Sequence, residues 1–168
     1  MSETTEEIVE VEPQELLHGC PVTRLRGQAV VHVDAAGYHG LLESLNGEGF
    51  DVCMDVTAVD YLTHPGRTLP EGVGAERFEV VVNLLSHVRH ERVRVRCQVP
   101  VGAAVLPTAT DLWAGADAAE REVYDMFGIV FDGHPDLSRI LMPEDWEGHP
   151  LRKDYPLGGE PVRFSDEE

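Results

Sequence analysis

Residues 78–99 read FEVVVNLLSHVRHERVRVRCQV, and the fold is decided there. Phe78–Leu85 is nearly continuous apolar sequence, which predicts a central strand covered on both faces. Glu91–Val99 alternates instead. Val93, Val95, Cys97 and Val99 fall on one side, and Arg92, Arg94, Arg96 and Gln98 on the other. The residues between them, SHVRH at 86–90, form a hairpin connection. The arginine side lacks the interleaved aromatics of an RNA-binding platform. It reads as a sheet face turned to solvent or to a partner.

Working outward, residues 1–12 form a charged, flexible arm, and a short helix is expected after Pro13 with Leu16 and Leu17 facing inward. Two strands follow at 22–26 and 28–33, split by Gly27. Asp34 is the expected N-cap of a helix over 35–46. The apolar stripe of that helix is Tyr38, Leu41, Leu42 and Leu45, and Asn46, Gly47 and Gly49 end it. A strand over 51–61 leads into the exposed loop THPGRTLPEGVG at 63–74. A last helix is expected over 111–127. Strands in succession with helices between them predict an α+β fold: a two-layer sandwich of a mostly antiparallel or mixed sheet with helices packed on it. That domain spans 13–127.

Residues 128–168 have a different character, rich in proline, with a Gly-Gly pair and no sustained period. They also carry Phe131, Leu137, Ile140, Leu141, Met142, Trp146 and Tyr155. Apolar side chains on an extended chain have to be buried against something, so 128–168 reads as an extended, partner-docking tail. The chain's one lysine, Lys153, lies in this tail, beside Arg152 and between Pro150 and Pro156.

The 168 residues carry 13 basic and 31 acidic side chains, for a net charge of −18. That excludes a nucleic-acid binder, which needs a basic stripe to displace counterions, and disfavours direct docking on an anionic bilayer. Cys20, Cys53 and Cys97 are far apart with no C-x-x-C pair, so neither a disulfide framework nor an iron–sulfur or zinc site is expected. The acidic beginning, MSETTEEIVEVEP, lacks the basic and apolar regions of a secretory signal, and no apolar run approaches a membrane span. The expectation is a soluble chain in the cytoplasm.

Polar side chains are densest in AEREVYDMFGIVFDGHPDLSRIL, residues 119–141. Asp117 and Glu120 have the spacing of a capping box, and Arg121 and Asp125 that of an ion pair across one helical turn. Glu120 and Glu122 lie about 200° apart around a helix, which counts against a paired-carboxylate mechanism. An acid–base enzyme using Glu120, Glu122 or His134 is therefore set below a structural role for these residues. No histidine spacing matches a metal-ligand motif, and no phosphate-binding glycine loop or nucleophile elbow is present.

The runs EREVYDMFGIVFDGHPDLSRIL and EDWEGHPLRKDYP resemble the 30 kDa subunit family of respiratory complex I, the proton-pumping NADH:quinone oxidoreductase. MDVTAVDY at 54–61, RFEVVVNLLS at 77–86 and RVRVRCQV at 92–99 look like the strand segments of that family in the same order. One departure is Ser138, where the family usually carries a basic residue after HPDL, and Ala118-Ala119 replaces a common aromatic.

The resemblance implies a subunit of the peripheral arm on the cytoplasmic side of the membrane. Such a subunit binds no cofactor of its own, although the complex uses FMN, iron–sulfur clusters, NADH and quinone. Its partners are the other peripheral-arm subunits, chiefly the large subunit beside the quinone site. Related membrane-bound hydrogenases and F420-type dehydrogenases carry equivalent subunits, and a monomeric binding module is a further alternative. Under this reading Glu120, Arg121, Glu122 and Asp125 fix the last helix, and no catalytic or metal-binding residue is assigned. His134, Arg139, Trp146, His149, Arg152, Lys153, Asp154 and Tyr155 would anchor the tail to a partner.

Overall fold

The computed structural model of the chain describes residues 14–156 and 158. The expected arm over 1–12 and the last residues of the expected tail lie outside the described residues. Eight strands occur among them: β1 (Leu16–Leu17), β2 (Cys20–Leu25), β3 (Gln28–Asp34), β4 (Val52–Asp60), β5 (Phe78–Ser86), β6 (Glu91–Val99), β7 (Val105–Pro107) and β8 (Val130–Asp132). Two helices, α1 (Tyr38–Gly47) and α2 (Asp117–Phe127), accompany them. The main sheet has the order β1-β2-β3-β6-β5-β4, with β3 and β6 parallel and the other pairs antiparallel. The mixed sheet and the helices on one side of it are the expected α+β sandwich.

The 78–99 hairpin is the centre of this sheet, with Val82 opposite Val95 and Leu84 opposite Val93. Its inward side chains, Phe78, Val80, Val82, Leu84, Val93, Val95, Cys97 and Val99, share one core with Tyr38, Leu41, Leu42 and Leu45 of α1. Val123, Met126 and Phe127 of α2 close that core. β5 departs from the expectation of burial on both faces. Its other side carries Val81, Asn83 and Leu85, all partly exposed, and Glu79, which is buried only because Arg96 and Gln98 bind its carboxylate.

Other differences have local causes. The expected helix after Pro13 is instead the hairpin β1–β2, and Leu16 is exposed. His18-Gly19 turns that hairpin, with φ of 50° and 78°, and Arg26-Gly27 turns the next, with φ of 51° and 83°. Both central residues of such a turn sit at positive φ, as a type I′ hairpin requires. α1 starts three residues later than expected, because Asp34 at the end of β3 accepts the Gly37 N–H at 2.8 Å and closes a turn first.

α2 likewise begins at Asp117 rather than 111. Trp113 before it is extended and donates from Nε1 to the Phe50 carbonyl at 3.0 Å. The expected boundary at residue 127 runs through the packed domain. Ile129 and Phe131 belong to the core, and β8 pairs in parallel with β7. Strands of three residues are too short to leave a period in the sequence.

Leu42 is fully buried between α1 and the sheet. Leu42→Ala is expected to lower the stability of the chain by about 2–5 kcal/mol in urea unfolding. A loss well below that range would show that α1 does not share the core of the 78–99 hairpin.

Candidate functional site

A helix that stops inside a protein leaves its last carbonyls without partners and a partial negative charge at that end. α2 ends at Gly128, whose φ of 70° reverses the chain while its N–H bonds the Tyr124 carbonyl at 2.8 Å. The chain then returns as a strap, residues 138–156, and lays three cationic or N–H-rich side chains across the helix end. Arg139 Nη1 and His149 Nδ1 donate to the Asp125 carbonyl at 3.2 and 3.0 Å. Arg152 Nε donates to the Phe127 carbonyl at 2.5 Å, and the Leu151 N–H to that of Met126 at 3.1 Å. A Cβ at position 128 would lie 2.7 Å from Arg152 Nη2 and closer still to the His149 ring, so only glycine lets the strap seat.

Asp125 holds the same strap from its side chain. Its carboxylate is fully buried and accepts Arg139 Nη1 at 2.6 Å. It also accepts the N–H groups of Ile140, Leu141 and Met142 at 3.1, 2.8 and 2.9 Å. Burial pushes this carboxyl up, but the Met142 N–H, Arg139 and the other two N–H groups outweigh it and hold it below the ordinary range. Arg121 therefore does not pair with Asp125 as the i,i+4 spacing suggested. Its guanidinium reaches outward to the Ser138 carbonyl and Oγ at 3.2 and 2.9 Å. Ser138, the departure from the family pattern, is thus an acceptor for Arg121.

A second buried acid pins the far end of the strap. Asp60, at the end of β4, accepts Arg77 Nε and Nη2 at 3.0 and 2.8 Å, the Leu62 N–H at 2.9 Å and the Lys153 N–H at 2.9 Å. Arg77 also bonds Asp154 at 2.8 Å, bridging sheet and strap. Burial raises the Asp60 carboxyl, and the Arg77 hydrogen bond with the Lys153 and Leu62 N–H groups brings it below its usual range. The Arg77 hydrogen bond does the same for Asp154. Asp60 and Arg77 carry no role in the sequence reading. The only available signal is an acid closing one strand and an arginine opening the next.

Glu120 is fully buried and accepts Thr108 Oγ1 at 2.5 Å and the Ala109 N–H at 2.6 Å, so Asp117 and Glu120 do not form a capping box. Asp117 is already inside the helix, beyond the N-cap position at Ala116. Burial raises the Glu120 carboxyl against these hydrogen bonds. The His134 side chain is buried, with Nδ1 accepting the Asp136 N–H at 3.1 Å. Its Nε2–H accordingly donates to the Asp117 carbonyl at 3.2 Å. Glu122 points to solvent, away from Glu120.

Of the residues expected to anchor a partner, His134, Arg139, His149, Arg152 and Asp154 bond within the chain itself. The Lys153 side chain is exposed, and Trp146 and Tyr155 are partly so. Ile140, Leu141 and Leu151 stand 41%, 60% and 50% exposed along the same strap. Among the described residues no group of three or more His, Cys, Asp or Glu side chains is placed to hold a metal ion, and no helix is long and apolar enough to cross a membrane.

Residues 31–161 match the sequence profile of the family described as respiratory-chain NADH dehydrogenase, 30 Kd subunit. An NADH-quinone oxidoreductase subunit of Geobacter metallireducens is 41% identical over 160 residues, 95% of this chain and 93% of that protein. Its equivalent in Salinispora arenicola is 43% identical over 146 residues, 85% of this chain. NADH-quinone oxidoreductase subunit 5 of Thermus thermophilus is 51% identical over 123 residues, 70% of this chain. The chain spans 56% of the length of each of these last two.

Among solved structures, a trypsin-resistant fragment of Nqo5 superposes with a TM-score of 0.63 at 39% identity, covering 71% of this chain and 90% of that one. An archaeal membrane-bound sulfane sulfur reductase complex contains the same fold, with a TM-score of 0.68 at 24% identity, over 82% of this chain and 78% of that one.

Two substitutions test the strap. Gly128→Ala is expected to cost about 1–2 kcal/mol from its left-handed backbone alone and to expose the amides of Leu141, Met142 and Lys153 to hydrogen exchange. Unchanged protection there would mean that the strap does not need the glycine. Acidification tests the carboxylates. Asp60 and Asp125 titrate lower folded than unfolded, so their contribution is present above about pH 4. It is lost as the pH falls through their lower folded values. The urea midpoint should therefore drop on acidification below about pH 4, and the drop should be smaller in Asp125→Asn.

Proposed function

Because the chain belongs to the family of 30 kDa subunits of respiratory-chain NADH dehydrogenase, we propose that it is an accessory subunit of an NADH:quinone oxidoreductase. In that role it supports electron transfer from NADH to quinone, coupled to proton translocation, without turnover of its own. FMN, iron–sulfur clusters and quinone are held by other subunits of the peripheral arm, on the cytoplasmic side of the membrane. The main partner is the large subunit beside the quinone site. Equivalent subunits of membrane-bound hydrogenases or F420-type dehydrogenases remain the alternative placement.

The observation that carries this reading is the strap. Its backbone and inward side chains are tied to α2 and β4. Its exposed side chains include the apolar Ile140, Leu141 and Leu151 and the chain's one ammonium group, that of Lys153. Exposed apolar side chains on a strap tied down in this way are suited to bury against a neighbour, with Lys153 meeting an acidic group there. The tail is therefore a rigid docking edge, held in place before the partner arrives.

Arg152 and Lys153 separate folding from docking. Lys153→Ala, with an exposed side chain, is expected to leave the melting temperature of the isolated chain unchanged and to weaken its retention in the purified complex. Arg152→Ala should lower both, since it removes the donor to the Phe127 carbonyl. Full assembly and quinone reduction with both residues replaced would sink the docking-edge reading. Measurable turnover by the isolated chain, abolished by Glu122→Ala, would favour an enzyme.

A further inference from the structure

The arginine stripe of β6 lies on the sheet face turned away from the helices, and the two ends of that stripe differ. At one end the chain covers itself. Arg96 donates to Glu79 at 2.6 Å and to the Tyr61 hydroxyl at 3.3 Å. Arg67 lies 3.7 Å over the Tyr61 ring and donates to Gln98 at 2.6 Å. At the other end, Arg94 meets, among the described residues, only the neutral Asn83 Oδ1, at 2.8 Å, and Arg92 is exposed. Among the described residues neither has a carboxylate within salt-bridge distance. Leu85 lies opposite Arg92, Asn83 opposite Arg94 and Val81 opposite Arg96, Leu85 and Val81 being partly exposed, and the exposed Asp55 of β4 lies opposite Asn83 on the same face.

We propose that this uncovered part of the sheet face receives an acidic segment of a neighbouring subunit, an inference that rests on the subunit reading above. The charges select the occupant. Nucleic acid or an anionic bilayer presents its charge to the whole chain and is repelled by a net −18. A short acidic segment laid along β6 meets Arg92 and Arg94, with the face's nearest acid, Asp55, two strands away beyond Asn83, and it buries Leu85 beneath it. Same-face neighbours on a strand are about 6.6–6.8 Å apart. The matching carboxylates stand two residues apart on an extended segment, or four apart on a helix, about 6 Å.

The test uses the intact complex. A photo-crosslinking amino acid is placed at Leu85 and, separately, at the exposed Thr57 on the neighbouring strand. The complex is purified from membranes, irradiated and sequenced by mass spectrometry. The expected product joins this chain to a partner-subunit peptide with two carboxylates at one of those spacings. Arg92→Glu with Arg94→Glu should cut its yield about tenfold, and changing the two partner carboxylates to lysine should restore it. Co-purification without a cross-link, or with cross-links to this chain's own residues 1–13 or to an uncharged peptide, overturns the docking face and leaves the subunit reading standing. Failure of the chain to co-purify at all overturns both.

Discussion

The carboxyl end of α2 is the point on which the rest of the structure depends. Its last carbonyls and the Asp125 carboxylate are both out of water, and each needs donors that the helix cannot supply. The strap supplies them from Arg139, His149, Arg152 and four backbone N–H groups. Cations sit where the helix dipole favours them. Removing the strap would leave a buried anion and several orphan carbonyls, so an irregular segment is held as firmly as a regular one. Gly128 makes the arrangement possible, because any side chain there would occupy the space of His149 and Arg152.

Asp60 extends the same logic to the sheet. A carboxylate at the end of β4 gathers Arg77, the Leu62 N–H and the Lys153 N–H, and Arg77 then reaches Asp154. Two buried acids thus fix one strap at two places, one on the helix layer and one on the sheet layer. Buried ion pairs contribute little net stability compared with apolar packing, but breaking one partner away is costly. Their value here is geometric: they set where Leu141, Leu151 and Lys153 point.

The chain then presents two kinds of surface. The strap offers apolar side chains with a single ammonium group, and the open half of the sheet offers Leu85 beside Arg92 and Arg94. Of the three residues an enzyme reading would use, Glu120 and the His134 side chain are buried and Glu122 is exposed.

Much of this was legible in the sequence, and the remainder was not, for a physical reason. Period-2 alternation at 91–99 and the apolar run at 78–85 determined the central hairpin, and the stripe Tyr38–Leu45 determined α1, because side-chain direction repeats locally along a regular backbone. The family was readable from its two long C-terminal motifs. The partners of Arg121 and Asp125, the role of Asp60 and the inward course of the strap were decided only by tertiary structure. Residues 60 and 153, or 125 and 141, meet through the folding of the whole chain, and no local spacing encodes such a meeting. A polar residue in a motif shows that a partner is needed. Which group answers, a Ser138 hydroxyl or a Met142 N–H, depends on what the packed layers bring within 3 Å.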